Sequence, residues 1–244
     1  MKLNHVTLQP VSSHGLKLST IGLALAALFL SACTTSSFGH RDENCSPDER
    51  LDGLLTAYEE GRSKGINASG NLLVDCERTR NAIERLALEF PSHARTLMAA
   101  GTLAYDASEP EKAQNYLDQV FRVQPSHPEA GILRSRIAVD EGNLQLAQRV
   151  LVMQVQYNPD HAGVREALSG VLYMSGDLEG ARAAIDAAAN LGAPVWRVAY
   201  HRGLVAEAAG QSGEAQAQYQ ACIDANPSFL AAKSRLSGMK SQGG

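Results

Sequence analysis

From residue 94 onward the apolar positions fall into stretches of about 14 residues with helical spacing, separated by short polar turns. Laid over one another at a period of 34, the stretches align. Leu103, Ile137, Val171 and Val205 share one column, and Leu117, Leu151, Ile185 and Tyr219 share another. Ala113, Ala147, Ala181 and Ala215 form a column of alanines, and Gly101, Ser135, Ser169 and Gly203 one of small residues. A turn residue recurs at Ser108, Gly142, Gly176 and Gly210. Prolines stand at Pro91, Pro125, Pro159, Pro194 and Pro227, at intervals of 34, 34, 35 and 33. Two helical stretches in a period of that length mark a stacked array of helical hairpins.

Each column has a mechanical role. The large apolar columns give every hairpin a buried stripe. The alanines and the Gly/Ser column let its two helices approach closely. Gly142, Gly176 and Gly210 suit the position that ends the first helix, where φ is positive. Ser126, Asp160 and Ser228 follow a proline and are expected to N-cap the next first helix. Asn143, Asp177 and Ser212 are expected to cap the second helices. Ser126-His-Pro-Glu129 and Ser108-Glu-Pro-Glu111 read as capping boxes with a proline in the first turn.

Four repeats result, over about 94–127, 128–161, 162–195 and 196–229, the third closing one residue late on Ala193-Pro194. Residues 45–91 read as a degenerate hairpin before them, with helices over about 47–62 and 75–90 and a loop at Gly65–Gly70. Residues 228–240 read as a polar-faced helix that closes the last apolar face, which a solenoid requires. The fold class is all-α, and residues 92–240 form one solenoid with its cap.

These columns resemble the tetratricopeptide repeat (TPR). The small residue of the first helix, the alanine and large apolar position of the second, and the closing proline all match that family. The likeness is strong over about 135 residues and loose over about 185. It has departures. The family's tryptophan is replaced by Leu97, Gly131, Arg165 and Ala199, and its next apolar position reads Ala100, Arg134, Leu168 and Arg202. The two arginines imply looser local packing or a small shift of frame. The resemblance implies a curved array whose first helices line a concave groove, where an extended peptide or a helix of a partner protein lies. The inward positions that carry candidate contacts are Arg95, Met98, Tyr105, Arg136, Glu166, Tyr173, Arg197 and Tyr200. Tyr and Arg are the residue types that carry interface energy, though these tyrosines could equally pack along the helix face. Gly163 and Gly170 would leave a shallow spot in the groove or weaken that helix. Trp196 would staple the start of the fourth repeat or stand out as an anchor.

The N-terminus reads as an address. Residues 1–18 are polar with two positive charges, Lys2 and Lys17, and an apolar run of ten follows from Ile21 to Leu30. Ten helical residues rise about 15 Å, too little for a hydrocarbon core of about 30 Å, so residues 1–32 are expected to be a cleaved secretory signal. The run ends in Leu30-Ser31-Ala32-Cys33, which resembles a bacterial lipobox. That resemblance implies lipidation of Cys33, and Thr34 after it implies export to the outer membrane. Ordinary cleavage after Ala32 is the rival reading. Residues 33–44 would be a flexible tether. In an oxidising periplasm Cys45 and Cys76 are a candidate disulfide, both at the start of expected helices. Cys222 occupies a column that wants a small apolar residue, so it reads as a buried thiol.

Composition narrows the function. The chain has 244 residues, 44% of them hydrophobic, and a net charge of −4; without residues 1–32 and their two lysines the remaining 212 carry −6. An acidic chain argues against nucleic acid as the main partner. The sequence contains no HExxH, GxSxG, GxGxxG or phosphate-loop motif, and its seven histidines are scattered. His127 and His161, 34 apart, read as parts of the repeat rather than a metal pair. No enzyme, cofactor or metal is expected. The expected function is a periplasmic scaffold or adaptor, lipid-anchored to the outer membrane, in pilus or secretin assembly of the type IV or tight-adherence kind. An adaptor for peptidoglycan hydrolases or for the outer-membrane protein insertion machine is the alternative. A glycan-binding module of polysaccharide export is the alternative of another class, weakened by only 13 aromatic residues in the chain.

Overall fold

The computed structural model describes residues 46–63 and 72–242, all arranged as helices and turns. The expected signal, Cys33, the tether, Cys45 and the loop at Gly65–Gly70 lie outside the described residues. Among the described residues there are eleven helices and no strand. They are α1 (Pro47–Ser63), α2 (Leu72–Glu89), α3 (Ala94–Asp106), α4 (Pro110–Val123), α5 (Pro128–Asp140), α6 (Leu144–Tyr157), α7 (Ala162–Ser175), α8 (Leu178–Asn190), α9 (Val195–Ala208), α10 (Ser212–Ala225) and α11 (Leu230–Gln242). Successive pairs form five antiparallel hairpins, and α11 packs on α10 as the cap. The first helices touch their counterparts in the next hairpin, while the second helices touch theirs barely. The stack therefore curves with α1, α3, α5, α7 and α9 inside.

The columns become the core. Ala113, Ala147, Ala181 and Ala215 are fully buried, as are Leu117, Leu151, Ile185 and Tyr219. The small-residue column sits where first and second helices meet. A Cβ on Gly101 would lie 3.4 Å from Tyr116 Cβ, and Ser169 Oγ donates to the carbonyl of Ala181 at 2.8 Å. On Gly203 a Cβ would fall 2.6 Å from the ring of Tyr219, so the largest residue of one column faces the smallest of the other. At Gly131, where the family has tryptophan, the space is taken by the buried side chain of Gln154, whose amide donates to the Pro125 carbonyl at 2.8 Å.

The turns follow the sequence in part. Gly142, Gly176 and Gly210 all have positive φ, and Ser108 in the same column adopts φ 61. Asn143 and Asp177 cap α6 and α8, accepting from Leu146 N–H and Gly180 N–H. The first helices differ from expectation. The caps of α5 and α7 are His127 and His161, one residue after Ser126 and Asp160, and each ring accepts through Nδ1 from the backbone three residues on. A proline-bounded turn fixes the frame one residue later than hydroxyl or carboxylate preference suggests. Ser108 closes α3 instead of capping α4, whose N-cap is Glu109, and Ser212 lies within α10 after Gln211. A capping box does form at Ser46 and Glu49, which exchange side-chain bonds to each other's backbone N–H at 2.9 and 3.2 Å.

The irregular proline interval has a local cause. α8 stops at Asn190, Gly192 turns the chain with φ 86, and Ala193 N–H reaches back to the Ala188 carbonyl at 3.0 Å. Pro194 then becomes the N-cap of α9, without a side-chain bond. The two arginines in apolar positions reach back to second helices: Arg134 to Asp118 at 3.9 Å, Arg202 to Asp186 at 2.6 Å. Where Leu168 replaces arginine, Val152 replaces the aspartate. Cys222 is buried, and burial pushes its thiol up to about 11. Cys76 is a free, half-buried thiol whose Sγ lies 3.4 Å from the Cβ position of Gly61.

The two glycines test the packing. Gly203→Ala drives a methyl into a buried ring and is expected to cost about 1–3 kcal/mol in urea unfolding. Gly101→Ala, with ordinary contacts and a gain in helix propensity of up to about 1 kcal/mol, is expected to be neutral or stabilising.

Candidate functional site

The inner face carries the eight candidate residues, and the structure engages each differently. Arg95 on α3 forms ion pairs with Asp48, at 2.9 Å, and with Asp52, both on α1. The first hairpin therefore extends the groove, and the hydrogen bonds that Arg95 donates to Asp52 and Asp48 raise its guanidinium above its usual range. Met98 is half-buried against the core of the first two repeats. Tyr105 donates to Asp140 Oδ2 at 2.8 Å, linking α3 to α5; burial and that carboxylate push its phenol up to about 12. Arg136, next along α5, acts on Tyr105 electrostatically, and its buried Nε has no hydrogen-bond partner.

Between α7 and α9 the groove floor is charged. Glu166 is 9% exposed, 3.3 Å from Arg197 Nε and 3.7 Å from His201 Nε2. Burial raises the Glu166 carboxyl, against the pull of Arg197. Gly170 accepts the His201 ring, whose Cε1 lies 3.5 Å from where a Cβ would be, and Gly163 lies against His161 and Ile132. The shallow spot is thus filled by neighbouring side chains. Arg197 also lies over the Trp196 ring at 5.4 Å.

The C-terminal end is aromatic. Tyr200 packs edge-on against Phe229 at 4.8 Å and tilted against Tyr219 at 6.0 Å, and Tyr173 joins the same cluster. Trp196 packs at a tilt against Phe229, with ring centroids 4.9 Å apart, so it secures the turn that leads into the cap. Glu207 binds this end together, accepting from Tyr219 Oη at 2.5 Å and from Arg235 of α11 at 3.2 Å. The structure thus joins Glu166 with Arg197 and Tyr173 with Tyr200, while Arg95 and Met98 lie with the first two hairpins. His201 and Arg235 had no sequence signal: one stands in the repeat position of Leu133, and the other lies beyond the last repeat.

Among the described residues, no group of three or more His, Cys, Asp or Glu is placed to hold a metal ion, and no helix is long and apolar enough to cross a membrane. The arrangement offers charge and aromatic contact along a row, which suits recognition of a chain. The buried His201 makes stability depend on pH. Burial first, then Arg197, lowers its pKa to about 4. The unfolded chain takes up this proton at higher pH than the folded one, so stability present above about 6.5 is lost as pH falls toward 4. Glu166, with a raised carboxyl, works in the opposite sense. His201→Leu isolates the histidine. Urea titrations are expected to show the parent losing up to about 3 kcal/mol more than the variant between pH 7 and pH 4.

Comparison with known proteins agrees with this geometry. Residues 98–148 and 132–194 match the tetratricopeptide repeat family. No curated protein matches the sequence. The structure is similar to a thermophilic TPR protein, TTC0263 of Thermus thermophilus, with a TM-score of 0.61 and 18% identity, covering 80% of this chain and 98% of that one. It is similar to PilW, described as a widely conserved type IV pilus biogenesis factor, with a TM-score of 0.63 and 11% identity over 80% and 91% of the two chains. It is also similar to YrrB, described as a TPR protein with an unusual peptide-binding site, with a TM-score of 0.53 and 16% identity over 76% and 98%. With its columns buried, its hairpins stacked and residues 98–194 matched to tetratricopeptide repeats, the chain carries such repeats at its centre and folds as an all-α, TPR-like solenoid.

Proposed function

We propose that this protein is a periplasmic scaffold, lipid-anchored through Cys33 to the outer membrane, that holds a partner protein in its groove during assembly of a pilus or secretin. The observation that carries the reading is the row of inner-face residues Tyr105, Arg136, Tyr173 and Arg197, which offers half-buried rings and guanidinium groups on successive first helices. An extended peptide or a helix laid along them meets one contact set per repeat. The likeness to a pilus biogenesis factor and the lipobox-like Leu30-Ser31-Ala32-Cys33 support the assembly and the location. Several acyl chains anchor stably, and confinement at one surface raises the effective concentration of partner and groove.

Two experiments test this. Affinity capture from detergent-solubilised envelopes with the full-length chain is expected to recover pilus or secretin components. They are expected to vanish from a bait carrying Tyr105→Ala, Arg136→Ala and Tyr173→Ala together. Recovery of the same proteins by both baits would move the binding face elsewhere, and recovery of hydrolases or insertion-machine subunits would change the assembly. Separately, metabolic labelling with a palmitate analogue is expected to mark the parent and not Cys33→Ser, and the variant is expected to leave the membrane fraction. Equal labelling of the two would remove the anchor.

A further inference from the structure

The two edges of the array differ in kind. One edge carries the turns that lead from each second helix into the next hairpin or the cap, and the other carries the turns within hairpins. Seven large apolar side chains are exposed among the described residues, and two of them, Val152 and Met153, lie along α6. The other five, Leu88, Val123, Tyr157, Val195 and Leu230, stand at the five turns of the first edge, one to each turn. None belongs to a buried cluster, and the proline of each turn is exposed beside it. The four described turns of the other edge expose no large apolar side chain. Charge divides the edges in the same sense. Residues 88–94, 122–128, 156–162, 190–196 and 224–230, on the proline edge, hold three acids and one base. Residues 106–112, 140–146, 174–180 and 208–214, on the other, hold eight acids and one base. The chain enters the array at the proline edge. The first turn of α1 is fixed there by Asp48, which pairs with Arg95 at 2.9 Å, and by Arg50, which pairs with Glu89 at 2.8 Å and lies over the Phe90 ring.

We propose that the proline edge rests on the surface of the phospholipid bilayer that holds the Cys33 lipids. This rests on the anchor proposed above and on nothing about the partner. Cys33 stands 13 residues before Ser46, and that length of chain spans at most about 45 Å. The proline edge is therefore the one held near the bilayer, while the other edge lies a helix length away, about 25 Å for the 17 residues of α1. Apolar side chains gain by leaving water for the boundary between headgroups and acyl chains, and tyrosine suits that boundary with its apolar ring and polar tip. Each contact is small, but the anchor makes it intramolecular, so a row of weak contacts suffices. Anionic lipids repel the acidic edge and turn it away. In this pose the concave groove opens sideways, along the membrane plane, and stays free for a partner.

Trp196, beside Val195 and the only tryptophan of the chain, reports on this edge. The full-length chain, lipidated in cells, is incorporated into vesicles of phosphatidylethanolamine and phosphatidylglycerol whose acyl chains are brominated or plain. Flotation reads the anchor, and quenching by bromine reads the edge. The parent is expected to float and to lose roughly a third or more of its Trp196 emission in brominated vesicles. A chain carrying Leu88→Ser, Val195→Ser and Leu230→Ser, all at exposed sites, is expected to melt with the parent, float with it and escape quenching. A chain carrying Trp196→Phe and Gln211→Trp, which moves the probe to the acidic edge, is expected to float unquenched. A parent that floats without quenching overturns the edge contact and leaves the anchor standing. Equal quenching of the parent and the triple variant, or of the probe at residue 211, overturns it as well. A parent that does not float removes the anchor and this contact with it.

Discussion

Everything in this array depends on how closely the two helices of each hairpin can approach. The small-residue column of the first helix meets the alanine column of the second, and the gap it leaves decides what the large apolar column can be. With Gly203 the opposite position holds a tyrosine ring, and with Ser169 a hydroxyl bonds directly to the facing backbone at Ala181. Because the gap is set within each hairpin, the same stacking vector repeats. The curvature, the row of inner side chains and the capped end all follow from that repetition.

The columns made the hairpins legible because burial acts on residue type at fixed spacing. Gly142, Gly176 and Gly210 were legible for the same reason, since positive φ acts on residue type too. The helix caps were not. A cap depends on the frame of a single residue, and the turns after Pro125 and Pro159 place His127 and His161 at positions that propensity gives to serine and aspartate. The groove was legible as a set of positions and not as a set of partners. Arg95 meets Asp48 and Asp52 on a hairpin that carries none of the columns, so no alignment of repeats could pair them. Glu166 and His201 are buried in places where other repeats have apolar or small residues, which only the packing of α7 on α9 shows.

The groove has two chemically distinct ends. Toward α1 its side chains are held by charge, in the Arg95 pairs and the Tyr105–Asp140 bond. Toward α11 they are held by rings, with Tyr200, Phe229 and Trp196 in contact and Glu207 bonding to Tyr219 and Arg235. Side chains fixed by neighbours lose less freedom when a partner arrives, which favours a rigid, directional fit. The two ends of the groove thus present different surfaces, paired charges at one and packed rings at the other.

The paired positions on the second and first helices carry one more consequence. Asp118 with Arg134 and Asp186 with Arg202 alternate with the uncharged Val152 and Leu168. Adjacent repeats are thus of two kinds, matched across their shared boundary. Removing one internal repeat would set Asp118 against Leu168 or Val152 against an arginine, and a charge would lose its mate. Removing two would bring Asp118 to Arg202 and leave the boundary intact.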